Sequence, residues 1–95
     1  MDMIKTKPMA FEQVVQAISG KKTVAGAKQL RKALRSGAAG CVYLAADADP
    51  AITEPIFALS QRCNTQVVWV RSMTDLGRAC GIEVGAAAAA AVDPI

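Results

Sequence analysis

The chain has 95 residues, 53% of them hydrophobic and 4% aromatic, with a formal charge of +3. That length supports one domain and one modest core, burying roughly 60–65% of the extended-chain surface. The composition excludes a disordered tail, and no run of about 18 apolar residues offers a membrane span.

Charge is unevenly spread. Residues 1–35 hold eight Lys or Arg against Asp2 and Glu12, a balance of +6; residues 36–95 hold three Arg against six acids, a balance of −3. The basic half is suited to a polyanion or an acidic protein surface. The start, MDMIKTKPMA, lacks an apolar segment followed by a cleavage site, so no signal peptide is expected. Cys41, Cys63 and Cys80 have no metal-ligand spacing and are odd in number. Buried free thiols and a cytoplasmic location are expected.

In chain order, residues 9–18 place Phe11, Val14, Val15 and Ile18 at i, i+3, i+4 and i+7, which predicts a helix with one apolar stripe. Ser19 and Gly20 end it. KKTV at 21–24 is a possible short strand. Residues 26–35 predict a second helix, with Ala27, Leu30 and Leu34 on one face and Lys28, Arg31, Lys32 and Arg35 on another. Gly37 stops it. CVYLAA at 41–46 is an uncharged, buried strand.

The third helix carries Ile52, Ile56, Leu59 and Cys63 on one face. Pro55 is tolerable only in a first turn, which would make Thr53 the cap. Asp49 followed by Pro50 fits equally, so the start lies between 49 and 54. QVVWV at 66–70 is a second clear strand. Ser72 and Asp75 form a capping box for a helix that turns Met73, Leu76 and Cys80 inward and closes at Gly81. Residues 82–84, IEV, lie in the following loop. The alanine run at 86–91 is ambiguous: propensity favours helix, whereas small side chains suit a central strand pressed between helices. The alternation of helix and strand implies an α/β sandwich.

Chemistry is limited by what is missing. Without histidine there is no Ser-His-Asp or Cys-His arrangement, and no glycine-rich phosphate loop occurs. Asp47 and Asp49 follow a strand, where two carboxylates could hold magnesium. The structural reading is stronger: Asp47 satisfying turn N–H groups and Asp49 capping the next helix. Trp69 and Tyr43 lie inside predicted strands and read as core, not as a stacking platform.

The second helix is the sharper signal. Its free N–H groups favour an anion, four cations occupy adjacent turns, and Gln29 can both donate to and accept from a base edge. A solvated face, a nucleic-acid patch and an acidic protein partner all fit that pattern.

GAKQLRKAL at 26–34, CVYLAADADP at 41–50 and VVWVRSMTDLGRACGIEVGAAA at 67–88, with their order and spacing, narrow the choice. Across about residues 10–92 the chain resembles the kink-turn-binding ribosomal protein family of archaea and eukaryotes (the large-subunit seven-Ae type), above all its small bacterial branch. The resemblance implies a three-layer α/β/α sandwich around a mixed four-stranded sheet, with residues 86–92 as a strand. It implies a non-catalytic RNA-binding protein needing no cofactor or metal. Its partner would be a structured RNA containing a kink-turn, in ribosomal RNA, a riboswitch or another transcript.

The family motif is Gly, any residue, Asn or Lys, Glu or Gln, two residues, Lys. It falls on Gly26, Ala27, Lys28, Gln29 and Lys32. Gly26 would let backbone approach phosphate, Lys28 and Gln29 would meet guanine edges of the sheared G·A pairs, and Lys32 would sit on phosphate. Arg31 and Arg35 would add phosphate contacts. A second element falls on Ile82, Glu83 and Val84, whose apolar members would pack against a flipped-out bulge nucleotide. Ribosomal members usually carry Asn and Glu at positions 28 and 29, so Lys28 and Gln29 imply lower selectivity within the same class. Broad ribosomal RNA contacts, or a protein-binding adaptor on the same fold, are the alternatives. The chain is expected to be a monomer without membrane contact.

Overall fold

The computed structural model describes residues 8–92; the charges at Asp2, Lys5, Lys7 and Asp93 lie outside them. Helix and strand alternate as α1 (Phe11–Ile18), β1 (Lys22–Ala25), α2 (Ala27–Ser36), β2 (Ala39–Ala45), α3 (Pro50–Arg62), β3 (Gln66–Val70), α4 (Met73–Ala79) and β4 (Ala88–Val92). The strand order is β1-β4-β2-β3. β2 and β3 are parallel, while β4 runs antiparallel to both β1 and β2. Met9 adds a short parallel bridge to Val70 at the β3 edge.

Strand alternation splits the core into two halves. Tyr43, Ala45, Val70, Ala89 and Ala91 face Val14 and Ile18 of α1 and Leu76 of α4. Val42, Leu44, Trp69, Ala88 and Ala90 face Leu30 and Leu34 of α2 and Ile56 of α3. The result is a three-layer α/β/α sandwich around a mixed four-stranded sheet. No helix among the described residues is long and apolar enough to cross a membrane.

The alanine segment is a strand in the middle of this sheet. Ala88, Ala89, Ala90 and Ala91 are all buried. Helix propensity is worth under about 1 kcal/mol per residue, and two ladders of backbone hydrogen bonds plus burial on both faces outweigh it. A side chain that ends at Cβ also lets a helix layer close on each face.

Helix ends follow local chemistry. Gly37, Asn64 and Gly81 all have positive φ. After each, the chain closes a Schellman pair, as in Ala38 N–H to the Ala33 carbonyl (3.0 Å) and Ile82 N–H to the Gly77 carbonyl (3.0 Å). α3 starts at Pro50 with Asp49 as its cap, so Pro55 is its sixth residue and not in a first turn. Pro55, Ala51 and Glu54 are exposed, so water can replace the hydrogen bond that the proline ring removes from the Ala51 carbonyl.

The inward stripe of α3 also differs from expectation. Thr53, Ile56 and Ser60 are buried, whereas Ile52 is 43% exposed. Ser60 tolerates burial because its Oγ donates to the Ile56 carbonyl at 2.8 Å. Val15 and Met73, expected inside, are more than a third exposed. The three thiols are free but only half-buried, less than expected.

Candidate nucleic-acid interface

α2 begins without a side-chain cap. Gly26 holds φ 101° and ψ 136°, which a residue with a Cβ rarely adopts, and it has no side chain to accept a hydrogen bond. The first intrahelical bond runs from Leu30 N–H to the Gly26 carbonyl, 3.0 Å. The N–H groups of Ala27, Lys28 and Gln29 therefore point beyond the helix end, with the positive end of the helix dipole behind them.

Burial divides this helix cleanly. Leu30, Ala33 and Leu34 are buried. Lys28, Gln29, Arg31, Lys32 and Arg35 are exposed. Lys28, Gln29, Lys32, Arg35 and Ser36 line an open groove of about 550 Å³. Arg31 lies on the flank of the cationic stripe away from Gln29, since each residue turns the helix by about 100°.

The loop after α4 is held in place by close backbone approach. A Cβ at Gly77 would collide with the Val84 carbonyl oxygen, and one at Gly85 would lie 3.1 Å from the Met73 Cβ. Ala86 N–H donates to the Met73 carbonyl at 3.0 Å. This clamp presents the next side chains outward: Ile82 is 37% exposed and Val84 71%. Glu83 between them is exposed as well.

The two elements meet. A depression of about 430 Å³ has Ala25, Gly26 and Ala27 on one side, Ile82, Val84 and Gly85 on another, and Ala86, Ala87 and Ala88 on a third. Ile52, from the first turn of α3, completes it. Gly26, Ala27, Ile82 and Val84 thus share one apolar depression, with the groove of Lys28, Gln29, Lys32 and Arg35 further along the same helix. Sequence reasoning missed Ile52, because an apolar residue in step with Ile56 reads as core. Its place one turn after a strand end was the available signal.

The other candidates are occupied by structural work. The Asp49 carboxylate accepts from Ala51 N–H at 2.9 Å and caps α3. The Asp47 carboxylate accepts from Met73 N–H at 2.8 Å and so caps α4, twenty-six residues on. Tyr43 and Trp69 are buried, with Phe57 tilted against Trp69 at 6.2 Å between ring centroids, so neither offers an exposed stacking face. Burial pushes the Tyr43 hydroxyl up to about 12 and raises the Cys41 and Cys80 thiols, which keeps all three neutral near pH 7.

The chain is similar to proteins already known. An RNA-binding protein of Geobacillus sp. (strain WCH70) is 45% identical over 84 residues, covering 88% of this chain and 99% of the relative. The RNA-binding protein YbxF of Geobacillus stearothermophilus is 46% identical over 82 residues, covering 86% and 96%. The 15.5 kD RNA-binding protein of Giardia lamblia shares the fold, with a TM-score of 0.79 at 24% identity, over 99% of this chain and 85% of that one. Residues 9–94 match the family described as ribosomal protein L7Ae/L30e/S12e/Gadd45. With nearly its whole length covered by that match, the chain belongs to the ribosomal protein L7Ae/L30e/S12e/Gadd45 family.

Proposed function

We propose that this is a non-catalytic RNA-binding protein that docks on a kink-turn or a related bulged internal loop. The observation that carries the reading is the apolar depression shared by the start of α2 and the loop at 82–84. An unstacked base has an apolar face and a charged backbone, and this surface offers a pocket for the first beside N–H groups and cations for the second. The RNA-binding names of relatives at 45–46% identity support the same class.

In this reading Gly26 and Ala27 admit a phosphate close to the backbone. Lys28 and Gln29 reach base edges, and Arg31, Lys32 and Arg35 neutralise phosphates. Ile82, Val84 and Ile52 pack against an unpaired base, with Glu83 at the rim. Both surfaces belong to one chain, so a monomer suffices, working where structured transcripts are found in the cytoplasm. A bent RNA is recognised by shape, which suits an array with few side chains able to read bases.

A competition gel tests this. A kink-turn RNA should displace labelled kink-turn at concentrations where a straight duplex of equal length does not. Equal competition by the two would leave only non-specific polyanion binding.

A further inference from the structure

We propose that Thr23 and Cys80 are positioning residues for RNA binding: bonded to each other, they fix the separation between the start of α2 and the loop at 82–84, two walls of the apolar depression. The inference rests on the RNA-binding reading above and adds what sets the width of that depression.

The two walls come from elements with different packing partners. β1 leads into Gly26 and packs chiefly against β4 and α2, whereas α4 leads into the loop and packs chiefly against α1, β2, β3 and β4. Only β4 is common to the two sets. β1 is also an edge strand, with β4 on one side and no strand on the other.

A side-chain hydrogen bond joins these elements directly. Thr23 pairs with Ala91, and residues opposite each other in an antiparallel ladder share a face. Ala91 belongs to the core half beneath α1 and α4, and Ala25 and Cys80 pack against that same half. Thr23 therefore projects towards α4, where its hydroxyl donates to the Cys80 sulfur. Both residues are half-buried.

The chain on each side of this bond is stiff. Val24 and Ala25, which separate Thr23 from Gly26, are laddered to Ala90 and Ala89. Cys80 closes α4 with its N–H on the Leu76 carbonyl at 3.1 Å, Gly81 takes φ 78°, and Ile82 N–H returns to the Gly77 carbonyl. A displacement at the bond is thus passed to both walls with little slack, and a binding constellation loosened by about 1 Å loses function. Burial raises the Cys80 thiol, and the bond from Thr23 lowers it only in part. The pair is uncharged at neutral pH, so it acts on shape and not on the salt-dependent attraction to phosphate.

Tyr43 supplies the comparison. It lies on the same face of the sheet, one row along, and its hydroxyl donates to the Cys41 sulfur. Removing that hydroxyl disturbs the same core half and leaves the bond between Thr23 and Cys80 in place.

The experiment measures the affinity of the full chain for a kink-turn RNA and for a straight duplex across a salt series. Exchange of the Leu30 and Ile82 N–H groups, which report on the start of α2 and on the loop, is followed by NMR in the free protein. Thr23→Val keeps the branched shape and the strand preference and removes the hydroxyl. It should lower kink-turn affinity about three- to tenfold, the scale of one hydrogen bond, with straight-duplex affinity and the salt slope unchanged. Thr23→Ser restores a hydroxyl and should recover most of the loss. Cys80→Ala should lose as much as Thr23→Val, and combining the two should add little, because the same bond is removed. Exchange should quicken at both Leu30 and Ile82 in either variant. Tyr43→Phe should lower the melting temperature and keep the kink-turn preference.

The proposal is overturned if Thr23→Val keeps the full preference, if serine fails to rescue it, if the two single losses add in full, or if Tyr43→Phe loses as much. Should the wild type bind kinked and straight RNA alike, the kink-turn reading falls and exchange decides the role of the bond. Quickening at both Leu30 and Ile82 in Thr23→Val and Cys80→Ala, and at neither in Tyr43→Phe, upholds it; any other pattern ends it.

Discussion

The start of α2 and the starts of α3 and α4 are built on opposite plans. At α3 the Asp49 carboxylate accepts from Ala51 N–H. At α4 the Ser72 hydroxyl accepts from Asp75 N–H at 3.1 Å, and the Asp47 carboxylate takes the N–H of Met73. At α2 the cap is a glycine with no side chain, and the first turn holds a lysine and no acid. Anions are favoured near a helix N-terminus and cations disfavoured, each by about 0.3–1 kcal/mol. The capped ends therefore fix the scaffold from within, while the positive end of α2 has no acid or capping side chain of its own; in the proposed reading a phosphate supplies that compensation.

The largest expected effect tests whether the bare end works alone. Gly77→Ala pushes a methyl group into the Val84 carbonyl, and backbone cannot swing aside as a flexible side chain can. Destabilisation of about 1–3 kcal/mol in a denaturant melt is expected, as for other overpacked sites. Kink-turn affinity should fall further than the melt explains, because the loop moves off the depression. Unchanged RNA affinity in a destabilised variant would mean the loop is dispensable.

A pair of substitutions sharpens the contrast. Gln29→Ala should lower the preference for kink-turn over straight duplex by about 1–3 kcal/mol, if a two-point base contact is lost, and leave the melt unchanged. Asp49→Ala should do the reverse: about 1 kcal/mol of stability lost with its cap, and selectivity kept. Lys32→Ala is milder. It should weaken kinked and straight RNA alike and reduce the salt slope by about 0.7–0.9. If Gln29→Ala and Lys32→Ala lower specific and non-specific binding equally, the division between reading and neutralising along α2 is wrong.

Much of this was legible in the chain itself. The cationic face of α2, the cap at Asp49, the Ser72 start and the glycine stops at Gly37 and Gly81 all depend on residues close in sequence. The alanine strand was legible only through family resemblance, since its state is set by β1 and β2 on either side and by two helix layers. Asp47 was read as a turn residue, but the N–H it serves belongs to Met73. Ile52 was read as core for want of any local sign that α3 rotates Thr53 and Ser60 inward instead. Gly77 offered no signal, because the need for a missing side chain there arises from the Val84 backbone. In each of these the deciding contact lies outside the residue's own helix, strand or turn.

The smallest expected effect concerns the acid at the rim. Glu83 is exposed between Ile82 and Val84, on the loop that shares its depression with the anion-seeking end of α2. Its charge repels an approaching phosphate, which is an odd choice beside a bare helix end. Glu83→Gln keeps the size and the acceptor oxygen and removes only the charge. If the charge acts as a long-range repulsion, affinity rises about two- to threefold in low salt, the scale of an exposed charge pair. The gain should fade towards 0.1 M salt, where the screening length is about 10 Å. A drop in affinity confined to one bulge sequence points the other way. Glu83 would then be accepting hydrogen bonds from a base, and the loop would read the RNA as Gln29 does, so that α2 is no longer the sole reader.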